Sequence, residues 1–266
     1  MELITVHQKK CIQCGICVKE CPFFVLKMGY HGPEAVSPDS CVACGHCAAV
    51  CPNAALNNHK SILDQRWTIK DFPVFDSETA ELFLRSRRSI RTYQQKLVPR
   101  EDLLKLVEVA RLAPTGSNSQ GVSYIIVEDR ETVKKAAEIT IEWLEGLPEC
   151  PKALSRFISE YRDRGVNSIL RDAPHLILTT TDKDFMQGRE NSIFSLAYLE
   201  LFAPSMGLGS CWAGIFELCA FSGYEAIAKL FKIPVSNKIT GAVMVGYPQY
   251  RYPRLPDRNH LEVSFI

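Results

Sequence analysis

The chain has 266 residues, of which 46% are hydrophobic, so it is long enough for two domains and can bury a core without disulfides. Its 31 basic and 30 acidic residues leave a net charge of +1, which excludes a whole-chain electrostatic argument for nucleic acid or an anionic membrane as a partner. Residues 1–10 hold no apolar run of a secretory signal and no stretch approaches the roughly 18 apolar residues of a membrane span, so we expect a cytoplasmic protein.

The amino-terminal part is dominated by cysteine. Of the 11 cysteines, eight lie between Cys11 and Cys51. The sequence CIQCGICVKECP at 11–22 returns as CVACGHCAAVCP at 41–52, with glycine and proline in the same places. A reducing compartment keeps thiols free, so this internal repeat favours metal ligation over disulfides.

The spacing of the cysteines selects among metals, since thiolates suit both zinc and iron–sulfur clusters. Zinc sites pair two Cys-x-x-Cys elements and give no reason for a third cysteine at the same interval; zinc and a disulfide knot remain the alternatives. In two-cluster proteins the fourth cysteine, before proline, binds the other cluster. The predicted [4Fe–4S] ligands are Cys11, Cys14, Cys17 and Cys51 for one cluster, and Cys41, Cys44, Cys47 and Cys21 for the other. Residues 3–56 resemble the bacterial two-cluster ferredoxins, which implies one-electron transfer.

The chain changes character after this repeat. We predict a two-cluster ferredoxin-like domain at 1–60, a linker at 61–76 where the pattern is weak, and a second domain at 77–266. Periodicity predicts helices at 77–85, from 99 onward, at 131–145, 152–162, 190–206 and 224–231, and strands at 122–128, 175–181 and 239–245. The tail at 261–265 alternates like a strand. Interleaved helices and strands predict an α+β fold with a helix-covered mixed sheet.

An arginine-rich segment, RSRRSIRTY at 85–93, opens the second domain and places four guanidinium groups within seven residues. Arginine forks suit the paired oxygens of a phosphate. Taken alone, the segment is more typical of a solvated charged surface than of a phosphate site.

Four segments, in order, resemble the FMN-binding motifs of the nitroreductase family. They are RRSIRTY at 87–93, APTGSNSQ at 113–120, GLGSCWAG at 207–214, and GYP at 246–248 leading to RLP at 254–256. The resemblance covers 77–258 and implies a nitroreductase-like, FMN-dependent oxidoreductase. Two departures concern the substrate side: Gly121-Val122 stand where many members have proline and an aromatic, and Ala213 stands where some have glutamate.

The resemblance also implies roles for individual residues. Arg87 and Arg254 would hold the FMN phosphate, Arg88 and Ser89 the ribityl chain or pyrimidine edge, and Arg91 the pyrimidine carbonyl and N1. Asn118, with Ser117 beside it, would contact the ring, and the backbone N–H of Ala213 or Gly214 would face N5. No catalytic side chain is expected, because the flavin carries the chemistry.

Together these parts predict an electron path from two [4Fe–4S] clusters to FMN and on to a nitroaromatic, quinone or other conjugated small molecule. The donor would be NAD(P)H, bound transiently because no Gly-x-Gly-x-x-Gly fingerprint is present, or reduced ferredoxin. Two alternatives remain open: an electron-transfer protein that serves another protein, and a flavin enzyme that oxidises or desaturates one metabolite. The resemblance further implies a homodimer with FMN at the subunit interface.

Overall fold

The computed structural model describes residues 2–61, 63 and 75–266, so most of the predicted linker at 61–76 lies outside the described residues. The chain forms two compact units. One comprises the described residues of 1–74 together with Ser117–Ser119, and the other comprises Phe75–Gly116 and Gln120–Ile266.

The first unit consists of two similar halves, as the cysteine repeat requires. Its elements are β1 (Ile4–Val6), α1 (Ile16–Lys19), β2 (Leu26–Gly29), β3 (Gly32–Ala35), α2 (His46–Ala49) and β4 (Leu56–Asn58). β1 pairs antiparallel with β4, and β2 with β3. The two helices begin after Gly15 and Gly45, whose φ values of 74° and 75° lie in the left-handed region that glycine enters without steric cost. The sequence repeat is therefore also a structural repeat.

The core of the first unit is small, and cysteines belong to it. The buried cluster consists of Leu3, Ile4, Cys17, Val25, Leu26, Cys47, Ala48 and Leu56. A module of this size has little apolar surface to offset the entropy cost of folding, so an additional stabilising element such as a metal centre is expected.

The second unit alternates helices and strands. Its elements are α3 (Ser77–Ser86), α4 (Arg100–Ala110), β5 (Ser123–Val127), α5 (Arg130–Glu145), α6 (Lys152–Arg164), β6 (His175–Asp182), α7 (Gly188–Phe202), β7 (Gly209–Trp212), α8 (Gly214–Phe221), α9 (Glu225–Leu230) and β8 (Asn237–Gly246). The strands form one sheet in the order β5-β6-β8-β7, and every pairing of these named strands is antiparallel. The parallel component of the predicted mixed sheet is an isolated bridge between Ser89 and Ser210.

Helices cover both faces of this sheet. Along β6, Leu176 and Leu178 pack into one apolar cluster with α5 and α8, whereas Ile177 between them packs into a second cluster with α4 and α7. β8 alternates in the same way, with Met244 in the first cluster and Val243 in the second. Successive side chains of a strand point to opposite faces, so two central strands buried on both sides give a layer of helices on each side of the sheet.

Most predicted elements appear in the second unit, with three differences. The helix predicted at 190–206 is α-helical only to Phe202 and continues as a 3₁₀ turn at Ala203–Met206, which contains Pro204. The short strand β7 and the helix α8 were not predicted, because four residues and eight residues of glycine-containing sequence carry little periodicity. The strand predicted at 261–265 is wrong for the single chain, where these residues are exposed and form no strand; a strand requires a neighbour to pair with.

No helix within residues 2–61 and 75–266 has both the length and the apolar character needed to cross a lipid bilayer.

Candidate cofactor sites

The eight cysteines of the repeat line two separate cavities. Cys11, Cys14, Cys17 and Cys51 line one of them, together with Pro52. Cys21, Cys41, Cys44 and Cys47 line the other, together with Pro22. Each cavity therefore combines three thiols of one run with the fourth thiol of the other run. All eight are free thiols.

The thiols surround these cavities instead of converging on one point. Within the part of the chain that the structure describes, no three His, Cys, Asp or Glu side chains lie close enough together to hold a single metal ion. Four soft thiolates around one cavity fit an iron–sulfur cluster, in which each cysteine binds a different iron. The ligand set thus suits the predicted clusters better than zinc.

Burial controls the protonation of two of these thiols. It raises the pKa of Cys17 and of Cys47, and backbone N–H groups of the following residues partly oppose the effect. The amide of Asn58 additionally lowers the pKa of Cys47. Ligation requires the thiolate, so cluster insertion has to displace protons from both sites.

The arginine-rich segment runs beside the edge strand β7. The N–H of Ile90 donates to the carbonyl of Ser210 at 2.8 Å, next to the parallel bridge between Ser89 and Ser210. Arg91 folds back, and its Nη1 lies 3.5 Å from the carbonyl of Ser89. These contacts bring the first predicted FMN motif alongside the third.

The fourth motif joins the same edge of the sheet. Tyr93 and Pro248 form an antiparallel bridge, and the N–H of Gln94 donates to the carbonyl of Tyr247 at 2.9 Å. The N–H of Gln249 donates to the carbonyl of Thr92 at 3.0 Å. Three of the four motifs, far apart in sequence, therefore meet where β7 ends the sheet.

A cleft of about 490 Å³ opens between these three segments. Its polar lining includes Arg88, Glu200, Ser210 and Arg251. Arg88 Nη2 donates to the carbonyl of Arg85, whereas its buried Nε has no hydrogen-bond partner. A buried guanidinium N–H without an acceptor suits an anion such as a phosphate, so the cleft fits the predicted FMN.

Glu200 on α7 is an acidic group in this cleft that the sequence reading missed. Its side chain is 12% exposed, accepts a hydrogen bond from Ser210 Oγ at 3.2 Å, and lies 3.9 Å from Arg87 Nη1. Burial raises the pKa of Glu200, while Arg87 and Ser210 partly oppose this. Arg87 is therefore oriented by a carboxylate, and a phosphate bound to Arg87 would meet the negative charge of Glu200. The available signal was one acid within an otherwise apolar run, AYLELF at 197–202.

The carboxy-terminal arginine of the fourth motif lies elsewhere. Arg254 is exposed in the segment that follows β8 and does not line the cleft, whereas Arg251 does. The role of Arg254 at the FMN phosphate stays a prediction.

The third motif was predicted to offer the backbone N–H of Ala213 or Gly214 to the flavin. One of these two N–H groups already has an acceptor within the protein. The N–H of Ala213 donates to the carbonyl of Ala242 at 2.9 Å, so it is used by the sheet and not available to a ligand. Gly214 is the first residue of α8, where a backbone N–H has no intrahelical acceptor. A Cβ at Gly214 would meet only Trp212 Cδ1, at 4.0 Å, so the side-chain side of this residue is open space.

An ion pair between a buried glutamate and a partly exposed arginine holds this motif in place. Glu217 on α8 binds Arg189 through both carboxylate oxygens, at 3.2 and 3.0 Å, and its Oε1 accepts the N–H of Ala242 at 2.8 Å. Arg189 also donates to the carbonyl of Thr240 at 2.7 Å and stacks over the ring of Trp212. The network ties β8 to the start of α8 and so fixes the Gly214 peptide. Neither residue was singled out from the sequence.

The second motif forms a turn with an unusual backbone. Ser117, Asn118 and Gln120 have φ values of 50°, 53° and 52°. Asn118 Nδ2 donates to the carbonyl of Val42 at 2.9 Å, within the first compact unit. The roles of Ser117 and Asn118 at the flavin ring stay predictions.

Comparison with known proteins agrees with this geometry. The nitroreductase family model matches residues 84–247, and the model of the 4Fe-4S dicluster domain matches residues 3–52. A protein of Thermotoga neapolitana named iodotyrosine deiodinase is 27% identical over 68% of this chain and 94% of its own length. A putative NADH dehydrogenase/NAD(P)H nitroreductase of Methanothermobacter thermautotrophicus is 28% identical over 67% of this chain and 84% of its own length.

A solved structure shares the fold of the second unit. The crystal structure of a nitroreductase with bound FMN from Desulfitobacterium hafniense has a TM-score of 0.59 and 22% identity, over 72% of this chain and 100% of that chain. The family model covers more than half of the sequence, and its match contains the first three motifs. The chain therefore belongs to the nitroreductase family and carries an amino-terminal 4Fe-4S dicluster domain.

Proposed function

We propose that this chain is an iron–sulfur flavoprotein in which electrons pass from two [4Fe–4S] clusters to FMN and on to a small electrophilic acceptor, such as a nitroaromatic, a quinone or another conjugated compound. The observation that carries the proposal is the presence, in one chain, of two four-cysteine cavities and a cleft built from nitroreductase motifs. As a member of the nitroreductase family, the chain is an FMN-dependent oxidoreductase.

The two cysteine cavities supply the cluster ligands in this proposal. The first cluster is held by Cys11, Cys14, Cys17 and Cys51, and the second by Cys21, Cys41, Cys44 and Cys47. Peptide N–H groups near the sulfurs stabilise the thiolates; the N–H of Ala55, for example, lies 3.2 Å from Cys51 Sγ.

The cleft at β7 binds FMN in this proposal. Arg87 binds the phosphate, and Arg88, whose Nε has no hydrogen-bond partner, binds the ribityl chain or the pyrimidine edge together with Ser89 from the same segment. The N–H of Gly214 faces the ring, and the missing Cβ of this residue leaves open space on its side-chain side. Arg91, Arg254, Ser117 and Asn118 keep the roles that the motif resemblance implies.

We also propose that the chain forms a homodimer. Ile193, Phe194 and Tyr198 are exposed on α7, and Leu261 and Phe265 are exposed on the tail. Exposed apolar groups of this size are typical of a subunit interface, and the tail that lacks a partner in one chain can pair with a second copy. A cytoplasmic location belongs to the same proposal, because a reducing compartment preserves the free thiols.

The donor is NAD(P)H or a reduced ferredoxin. The family relative named as an NAD(P)H nitroreductase supports the first, and the fused dicluster domain supports the second. An electron carrier for a protein partner and an oxidase of one metabolite are the competing functions that the experiment has to separate.

Anaerobic quantitation of iron, sulfide and flavin tests this assignment. About eight irons and one FMN per chain are expected, since each [4Fe–4S] cluster holds four irons. Cys14→Ser should lose about half of the iron, whereas Cys150→Ser, outside the repeat, should lose none. Zinc in place of iron, or no bound flavin after reconstitution, would refute the proposal.

Turnover then distinguishes the competing functions. Under anaerobic conditions the holoenzyme is supplied with excess NAD(P)H or reduced ferredoxin and mixed with a nitroaromatic, a quinone and 3-iodotyrosine in separate runs. Rapid multiple turnover with a small acceptor supports the reductase. Reoxidation only by a protein acceptor supports a carrier and contradicts the reductase.

A further inference from the structure

The internal repeat allows the surroundings of the two clusters to be compared position by position. Residues 11–22 correspond to 41–52, and the same offset relates Leu26 on β2 to Leu56 on β4. Two residues further on, the offset relates Met28 to Asn58. Met28 lines the first cysteine cavity and Asn58 lines the second. Equivalent positions therefore face the two clusters with different chemistry.

Asn58 points its amide nitrogen at cluster ligands. The residue is 7% exposed, and its Nδ2 lies 3.6 Å from the sulfurs of both Cys41 and Cys47. Its Oδ1 accepts the N–H of Lys60 at 2.9 Å. The opposite amide orientation would place the NH₂ group against that N–H, so the Lys60 contact fixes which end of the amide faces the sulfurs.

Met28, at the equivalent position, cannot donate a hydrogen bond to the ligands of the first cluster. A thioether has no hydrogen to donate and is only a weak acceptor. The two cavities therefore share the same cysteine spacing, and at this equivalent position one has a hydrogen-bond donor and the other has none.

We propose that Asn58 raises the reduction potential of the cluster held by Cys21, Cys41, Cys44 and Cys47, and that the other cluster lacks this control. One-electron reduction adds negative charge, part of which resides on the thiolate sulfurs. A donor aimed at these sulfurs binds the reduced form more strongly than the oxidised form. Burial of Asn58 strengthens the effect, because little water competes with the amide. The inference rests on the ligand assignment of the proposed function.

Other groups near the cavities also affect the potentials. Lys10 lines the first cavity, whereas Glu20 and His46 line the second. The N–H of Ala55 donates to Cys51, a ligand of the first cluster. These groups change the absolute reduction potential of each cluster. The effect of Asn58 is therefore measured by substituting Asn58, and not by comparing the potentials of the two clusters with each other.

The test is an anaerobic potentiometric titration of the holoenzyme, followed by electron paramagnetic resonance of each reduced cluster. In Asn58→Leu the ratio of reduced to oxidised second cluster at a fixed potential should fall about tenfold, which is about 59 mV for one electron, while the first cluster is unchanged. Asn57→Leu, in the same strand with an exposed side chain, should alter neither cluster. Met28→Asn should shift the first cluster in the opposite direction.

The outcomes separate this inference from the ligand assignment. A wild-type protein without two clusters refutes the assignment itself. Asn58→Leu with full iron content and unshifted potentials overturns the inference and leaves the assignment intact. If Asn58→Leu loses its second cluster because the Lys60 turn is lost, Met28→Asn provides the test instead. An unchanged potential of the first cluster in Met28→Asn then overturns the inference.

Discussion

The ion pair between Glu217 and Arg189 fixes the start of α8, where the Gly214 peptide lies. Substitutions in this pair give the sharpest test of how that segment is held in place. In Glu217→Ala the buried N–H of Ala242 loses its acceptor, which costs about 1–3 kcal/mol. The lost contact with Arg189 adds only about 0.5–1 kcal/mol, because the arginine side chain is 37% exposed and water can solvate it. We expect the free energy of unfolding to fall by about 2–3 kcal/mol.

Matched variants separate the two contributions. Arg189→Ala leaves the Ala242 hydrogen bond, but it deprives the Glu217 carboxylate, which is 5% exposed, of its cation and removes the donor to the Thr240 carbonyl, so it should cost about 3 kcal/mol or more. Glu217→Gln keeps an acceptor for Ala242 and leaves no buried charge, so it should cost about 1 kcal/mol. Glu217→Gln should therefore be the mildest of the three.

Thermal unfolding followed by tryptophan fluorescence measures these differences, since Trp212 stacks against Arg189. For a domain of about 200 residues, 2–3 kcal/mol corresponds to a fall in Tm of about 4–12 °C. If Tm falls by the same small amount in Glu217→Ala and Arg189→Ala, the reasoning is refuted. Loss of the acceptor of the buried Ala242 N–H would then have no measurable effect on stability.

Three further outcomes follow from the cleft and the tail. Arg88→Ala should weaken FMN binding about tenfold or more, as measured by equilibrium dialysis, whereas exposed Arg100→Ala should not; equal affinities would remove Arg88 from the site. Burial raises the pKa of Glu200, so its contribution to stability is full below the ordinary glutamate pKa of about 4.3 and is lost as pH rises through the raised value. The Tm difference between wild type and Glu200→Gln should therefore grow with pH in that window, and a constant difference would contradict this. Deletion of 261–266 should shift the protein from dimer toward monomer in size-exclusion chromatography, and an unchanged elution volume would exclude the tail from the interface.

The cysteine repeat was the most informative part of the sequence. Ligand spacing is local, so the partner sets of Cys11 and Cys41 could be written from the chain alone, and the structure groups the thiols in those sets. Long amphipathic or apolar stretches, such as α5 and β6, were also predictable, because their periodicity directly reflects burial.

Contacts between distant segments were not predictable. Glu200 and Glu217 acquire partners only when the sheet brings remote residues together, so their neighbours in sequence do not reveal which residues they bind. The sequence predicts the backbone N–H of Ala213 as a donor to the flavin, but in the fold this N–H donates to the carbonyl of Ala242 on β8. The alternation in the tail was read as a strand, but alternation specifies two faces and not the neighbour with which to pair.

The small core of the first unit has a consequence for how the protein fails under oxidative damage. Cys17 and Cys47 are part of that core, so oxidation that dismantles the clusters also removes the groups around which its few apolar residues pack. The second unit keeps two extensive apolar clusters that contain no cluster ligand. Oxidative loss of the clusters should therefore leave the first unit more susceptible to proteolysis than the second, which limited proteolysis of the oxidised protein would measure.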